Sequence, residues 1–342
     1  MDARAAAVIV GIVTSQAPSP PPPQQPRFSE GVDVERVVID VRALEPQGRA
    51  IVGLGPRDFR VRVDGCLVEL ESADWVPGAL PAAAAPRDGA ADAAPETEAA
   101  PGRLILLVFE KDLDSSRVVG FMRMLHRAED LIARLRPEDR VAIASFDHHL
   151  KLWLDFTADH ERARPLLRGG LVYEDVPEAE PGPPPSLAAF FDTRAARDAA
   201  SLEQALLVLG RALSPLPGAK SVVLFGAGMG RLTPVGVVLD AAYGPAREAL
   251  AAAQATVFSL DVTDADRHTL EVGLQQVAAD TGGFYARTHE FPGIALAQLE
   301  GALEGRYVLA FPRPEGRRGA HEIRIDLPSR KGSVVSRTTY VD

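Results

Sequence analysis

The stretch RLILLVFEKDLDSSR, Arg103 to Arg117, decides how this chain is read. Leu104 to Phe109 is an uninterrupted apolar run, and Glu110, Asp112, Asp114, Ser115 and Ser116 follow directly. A short run of this kind, bounded by polar residues, is the pattern of a strand buried on both faces. Behind it, Val118, Met122, Leu125, Ala128, Ile132 and Leu135 recur at helical spacing until Pro137 ends the pattern. The order is strand, acidic and hydroxyl-bearing loop, helix. In an open parallel sheet, ligands bind in the crevice at the carboxyl ends of such strands.

Downstream the alternation continues. Arg140 to Phe146 reads as a second buried strand, and Leu150 to Phe156 pairs with it across a turn at Asp147–His149. Helices are expected over 159–168, over Ser201–Leu213 with Ser201 as cap, over Ala246–Ala255, and over 268–280 ending at Thr281-Gly282-Gly283. Lys220 to Phe225 and Thr256 to Leu260 supply further strands. Strands alternating with helices predict an α/β unit, an open parallel sheet with helices on both faces.

Both ends of the chain read differently. Val32 to Val41 and Phe59 to Val63 alternate apolar and polar residues, Gln47-Gly48 marks a turn, and Asp64-Gly65 is a hairpin signal. After residue 306, Tyr307–Phe311, His321–Leu327 and Ser333–Val341 return to β character. Neither set is comfortable alone, so the two, 28–76 and 306–342, are expected to pair into one small β-sandwich around the 103–305 α/β unit. The 77–102 segment is Ala, Pro, Gly and acidic residues, an insertion that cannot bury a core.

The N-terminus carries Arg4, an apolar run from Ala5 to Val13, and small residues up to Ala17, the pattern of a signal peptide over 1–17. A proline-rich linker, 18–27, follows. This pattern predicts export, periplasmic or extracellular, with no integral membrane span once the signal is removed. The net charge of −10 over 342 residues excludes non-specific nucleic-acid binding, which needs a basic footprint. The lone cysteine, Cys66, excludes an intrachain disulfide and is expected to pack as a small apolar side chain.

Several motifs share an order that resembles the von Willebrand factor type A-related (VWFA-related) proteins known from acidobacteria, over nearly the whole chain after the leader. They are Val37-Val38-Ile39-Asp40-Val41, Gly48 to Leu54, Asp58-Phe59-Arg60-Val61 with Asp64-Gly65, Pro137 to Phe146, and Asp155 to Asp159. Val222 to Gly230, Thr281-Gly282-Gly283 with Tyr285, and Tyr307 to Phe311 complete the set. The resemblance implies a type A fold and a binding or adhesion function at the carboxyl edge of the sheet. It also implies a metal-ion-dependent adhesion site for Mg²⁺ or Mn²⁺, built from D-x-S-x-S, a later Thr and an Asp after the fourth strand.

This sequence departs from that pattern. Its strand ends in Glu110, the nearest match is Asp112-Leu113-Asp114-Ser115-Ser116, and Gly226 stands where the family's Asp would. In one reading, Asp112, Asp114 and Ser116 hold a metal in rearranged geometry, since hard cations want oxygen ligands. In the other, they are a solvated loop whose acidic and hydroxyl groups favour the N-terminus of the following helix. The expectation is a degenerate site with no resident cofactor.

Other chemistries are weaker. Gly226-Ala-Gly228-Met-Gly230 follows a strand but is G-x-G-x-G, and Pro234 and Gly236 interrupt the helix a dinucleotide would need. There is no G-x-S-x-G elbow and no H-E-x-x-H, and His148-His149 sit on a turn. Asp261, Asp264 and Asp266 with His268 are expected to cap the helix that follows. The sequence thus predicts a non-enzymatic module that binds a protein or cell-surface ligand. Its expected contact residues are Glu110, Asp112, Asp114, Ser116, Arg231, Asp261 and Asp264. The competing readings are a cytoplasmic nucleotide-binding α/β enzyme and a purely structural envelope protein.

Overall fold

The computed structural model describes residues 35–78, 102–111, 117–176, 181–264, 268–289, 291–316 and 318–341. The expected leader and linker, nearly all of the expected 77–102 insertion, and Asp112, Asp114, Ser116 and Asp266 lie outside the described residues.

The chain enters through β1 (Arg36–Leu44), β2 (Arg60–Val63), β3 (Cys66–Val68) and β4 (Ser72–Pro77). It then builds β5 (Leu104–Glu110), α1 (Val118–Ile132), β6 (Arg140–Phe146), β7 (Leu150–Thr157), α2 (Leu202–Leu213) and β8 (Lys220–Gly226). A hairpin of β9 (Arg231–Thr233) and β10 (Gly236–Val238) comes next, then α3 (Tyr243–Ala252), β11 (Ala255–Asp261), α4 (Glu271–Thr281), β12 (Tyr285–Arg287) and α5 (Pro292–Glu304). It closes with β13 (Gly305–Pro312), β14 (Ala320–Asp326), β15 (Ser333–Ser336) and β16 (Thr339–Val341).

The central sheet has the order β12-β11-β8-β5-β6-β7 and is parallel except for β7 at its edge. β5 is buried on both faces. Leu104, Leu106 and Val108 pack with α2, α3 and α4, whereas Ile105, Leu107 and Phe109 pack with α1 and α5. The Phe109 and Phe225 rings of neighbouring strands stack with centroids 4.5 Å apart. Helix ends follow local chemistry. Ser201 Oγ accepts from the N–H of Gln204 at the start of α2, and Gly282 adopts the left-handed conformation that ends α4.

The chain ends form two four-stranded antiparallel sheets, β15-β1-β13-β4 and β16-β14-β2-β3, which share one core. At its centre Tyr307 is fully buried, and its hydroxyl accepts from Leu54 N and donates to Ile51 O. Arg42 ties this sandwich to the α/β unit. It donates Nε to Ala302 O, Nη1 to Gly282 O and Nη2 to Thr256 Oγ1.

Four local expectations change. Residues 160–173 form a succession of short helical turns, because Pro165 lacks an N–H and Gly169 leaves the helical backbone. Ser333–Val341 is two strands, not one: β15 pairs with β1 and β16 with β14, so the chain changes sheets at Arg337–Thr338. Cys66 is exposed, not packed, because β3 is the edge strand of the second sandwich sheet and its side chains stay largely in solvent. The helix after Asp261 starts at Glu271, so Asp261 and Asp264 cap nothing and are engaged elsewhere.

Candidate functional site

Chain order reverses between β5 and β8. From β5 the chain moves outward to β6 and β7, and from β8 it moves the other way to β11 and β12. The carboxyl ends of these strands therefore frame the crevice in which an open α/β sheet takes a ligand.

At the reversal, Glu110 turns across to β8. Its Oε2 accepts a hydrogen bond from the Ala227 N–H at 2.6 Å. A Cβ on Gly226 would lie 3.3 Å from the same oxygen and 2.9 Å from Leu274 Cδ2. Glu110 thus reaches the end of β8, where a type A metal site would draw on an Asp, and Gly226 offers no ligand atom.

The glycine-rich stretch after β8 leads into the β9–β10 hairpin, not into a helix. It leaves no helix N-terminus at these glycines to receive a pyrophosphate. Instead the turn packs on the start of α4: Met229 N donates to Leu270 O, and a Cβ on Gly228 would strike Leu270 Cβ. The hairpin carries Arg231, which is exposed.

One strand further out lies a polar cluster. Asp261 ends β11 and is 2% exposed. Its Oδ1 accepts from Thr263 N at 2.9 Å, while Oδ2 accepts from His268 Nε2 at 2.7 Å and from the Tyr285 hydroxyl at 2.6 Å. Glu271, on the first turn of α4, lies 3.2 Å from the same hydroxyl and receives the Arg287 guanidinium on both carboxylate oxygens. Burial, and then the Asp261 carboxylate, push the Tyr285 phenol well above its usual range, so it stays protonated and donates. Asp261, His268 and Glu271 bring one ligand atom each within 4.8 Å of one another, and these three could hold a metal.

Asp264 belongs to a separate group. It pairs with His289 Nδ1 and, at 3.2 Å, with Arg123 on α1. The His289 hydrogen bond and then Arg123 hold its carboxyl below the usual range. Of the residues expected from sequence, the structure joins Glu110 to the end of β8 and places Asp261 in a cluster. Asp264 pairs instead with Arg123 and His289, and Arg231 is exposed on the hairpin. Sequence reasoning missed Glu271, Tyr285, Arg287, Arg123 and His289. The available signals were the His268-x-x-Glu271 spacing at a helix start and the Tyr that follows Thr281-Gly282-Gly283.

The chain is an α/β sheet of this order with added antiparallel sheets, and it is similar to solved structures of von Willebrand factor type A proteins. It aligns with a von Willebrand factor type A protein from Catenulispora acidiphila at 8% identity, over 91% of this chain and 74% of that one, with a TM-score of 0.44. It aligns with an aerotolerance-related membrane protein from Bacteroides fragilis at 16% identity, over 59% of this chain and 98% of that one, with a TM-score of 0.38. Manganese-loaded TRAP protein from Plasmodium vivax aligns at 10% identity, over 69% and 93% respectively, with a TM-score of 0.39. No family model and no curated relative match the sequence.

Proposed function

We propose that this protein is a non-enzymatic binding module that docks a protein partner on the carboxyl rim of its central sheet. The observation that carries this is the β9–β10 hairpin. It issues from the reversal point and holds Leu232 at 60% and Val235 at 90% exposure, with Val238 beside them. Met122 on α1, with Phe291 and Ile294 at the start of α5, adds exposed apolar surface. Helices that follow strands begin at the carboxyl edge, so these side chains belong to the same rim. Single exposed apolar residues are ordinary; their concentration beside a ligand crevice points to a protein interface with an apolar centre.

In this reading the family's metal site is degenerate. Glu110 satisfies the Ala227 N–H, and Gly226 supplies no carboxylate to complete an Mg²⁺ or Mn²⁺ shell. Docking is therefore metal-free at the end of β8. Export is part of the proposal and rests on the Ala5–Val13 run and the small residues up to Ala17. Among the described residues, no helix is long and apolar enough to cross a membrane.

The test compares proteins captured by the immobilised chain with those captured by Leu232→Asp/Val235→Asp, by Arg231→Ala, and by Val38→Asp, an exposed position on the sandwich. A partner retained by wild type and Val38→Asp but lost from the hairpin variant supports the proposal. Equal retention of every captured protein by a folded hairpin variant overturns it.

A further inference from the structure

We propose that Asp261, His268 and Glu271 form a binding site for one divalent transition cation, with zinc as the best fit. This goes beyond the docking reading and does not depend on it, since metal binding needs no partner. It also lies one strand away from the end of β8, where a type A domain would place its ion.

Three segments converge on the site: the last residue of β11, the loop before α4, and the first turn of α4. Their ligand atoms lie within 4.8 Å of one another, close enough for one ion to reach all three with small side-chain movements. The donor set decides the metal. One imidazole nitrogen with two carboxylates suits Zn²⁺ and its neighbours, whereas Mg²⁺ and Ca²⁺ prefer oxygen alone. Two carboxylates and a neutral imidazole leave room for water as a further ligand.

The groups around the ligands are already in place. Thr263 N holds Asp261 Oδ1, so that Oδ2 faces His268, and Arg287 grips Glu271 through both oxygens. The Tyr285 hydroxyl bridges Asp261 Oδ2 and Glu271 Oε2. Outer hydrogen bonds of this kind orient metal ligands and fix their direction. In the metal-free protein, His268 Nε2 donates its proton to Asp261 Oδ2. An ion bound at Nε2 replaces that proton, which passes through solvent to Nδ1 and leaves the imidazole neutral. Asp261 is nearly fully buried while His268 is partly open, so the ion enters from the His268 side.

The experiment is a calorimetric titration of the full chain with ZnCl₂, run on wild type, His268→Gln, Glu271→Gln and His148→Gln/His149→Gln. Gln at 268 can still donate to Asp261 but is a poor zinc ligand; the vicinal pair on the β6–β7 turn is the competing surface site. The expected result is one saturable ion on wild type and on the 148/149 variant, with affinity at least tenfold weaker in His268→Gln and in Glu271→Gln. Bound Co²⁺ should show visible absorption bands that disappear in His268→Gln. If one variant fails to fold, as judged by circular dichroism, the other decides. Absence of saturable binding to wild type overturns the site. So does unchanged affinity in a folded His268→Gln, or loss in the 148/149 variant instead.

Discussion

Glu110 and Gly226 share one space at the reversal of the central sheet: the carboxylate of the first lies 3.3 Å from the point where the second would carry a Cβ. Its Oε2 also holds the Ala227 N–H at 2.6 Å. The two departures from the type A pattern are thus linked, because an acidic residue at 226 would set one carboxylate against another.

The first prediction follows from that pairing. Glu110→Ala removes the acceptor of a buried N–H and should cost about 1–3 kcal/mol. Gly226→Asp should also destabilise, since its Cβ meets Leu274 Cδ2 at 2.9 Å and its charge faces Glu110. Combined, the two should cost less than their sum by about 1 kcal/mol, as expected of residues in contact. Urea unfolding of the four proteins measures this; strict additivity would mean the two positions do not interact.

Arg42 supplies the second. Its guanidinium bonds Gly282 O, just past α4, and Ala302 O, in the last turn of α5, so two helix carboxyl ends stabilise one buried cation. Arg42→Met should cost about 3 kcal/mol by orphaning these carbonyls. Arg42→Lys should recover only part, since an ammonium lacks the planar fork. Burial lowers the Arg42 pKa to about 10, partly countered by Asp40. A base whose folded pKa is lowered loses its proton first in the native state, so the linked gain in stability falls between that value and its ordinary one. Below it both states hold the proton, and the Met penalty should be equal at pH 6 and pH 8. A penalty that changes across that range would count against this account.

Much of the fold can be read from short-range chemistry. Leu104–Phe109 needs both faces covered, and Ser201, Gly282 and Asp64-Gly65 mark their ends and turns by backbone requirement alone. What escapes depends on distant neighbours. The Ser333–Val341 alternation continues smoothly through the point where the chain changes sheets, so nothing local marks it. Cys66 alternates like a core residue, yet its strand lies at an edge. The start of α3 falls earlier than expected because alanine-rich segments carry little helical asymmetry to locate their ends. The polar cluster gathers Asp261, His268, Glu271 and Tyr285 from separate elements, and only the β11–β12 pairing brings the last of them alongside.

The third prediction concerns Asp139 in the Pro137–Phe146 motif. It is fully buried, pairs with Arg103 through both oxygens, and accepts from Arg103 N and Arg136 N. Burial raises its pKa, but the Arg103 hydrogen bonds and charge outweigh that and hold it below the usual range. A lowered folded pKa means the unfolded chain takes up the proton first as pH falls. The pair's stabilisation is therefore present above the unfolded value, about 3.9, and is lost as pH drops through the folded one. Asp139→Asn should cost about 3–5 kcal/mol at pH 7. The gap to wild type should narrow below about pH 4. Denaturant titrations from pH 7 to pH 3 test this, and a constant gap would contradict it.

The last prediction reverses an ordinary expectation about helices. Glycine inside a helix is normally worse than alanine by about 1 kcal/mol. Gly293, on the first turn of α5, has nothing within 4 Å of where a Cβ would stand apart from its chain neighbours, and Ile294 follows it, so Gly293→Ala should stabilise by about 0.5–1 kcal/mol. Gly120 also lies on a first turn, that of α1, but a Cβ there would lie 1.7 Å from Val262 O. That oxygen is backbone, just beyond β11, and cannot swing aside as a side chain would. Gly120→Ala must push α1 off the carboxyl edge, and overpacking of this kind costs about 1–3 kcal/mol. The shift would also strain the Arg123–Asp264 pair that joins α1 to the loop after β11. Thermal unfolding of the two variants should therefore move in opposite directions. A stabilised Gly120→Ala would mean that α1 does not press on Val262, and that the rim is looser than the packing here requires.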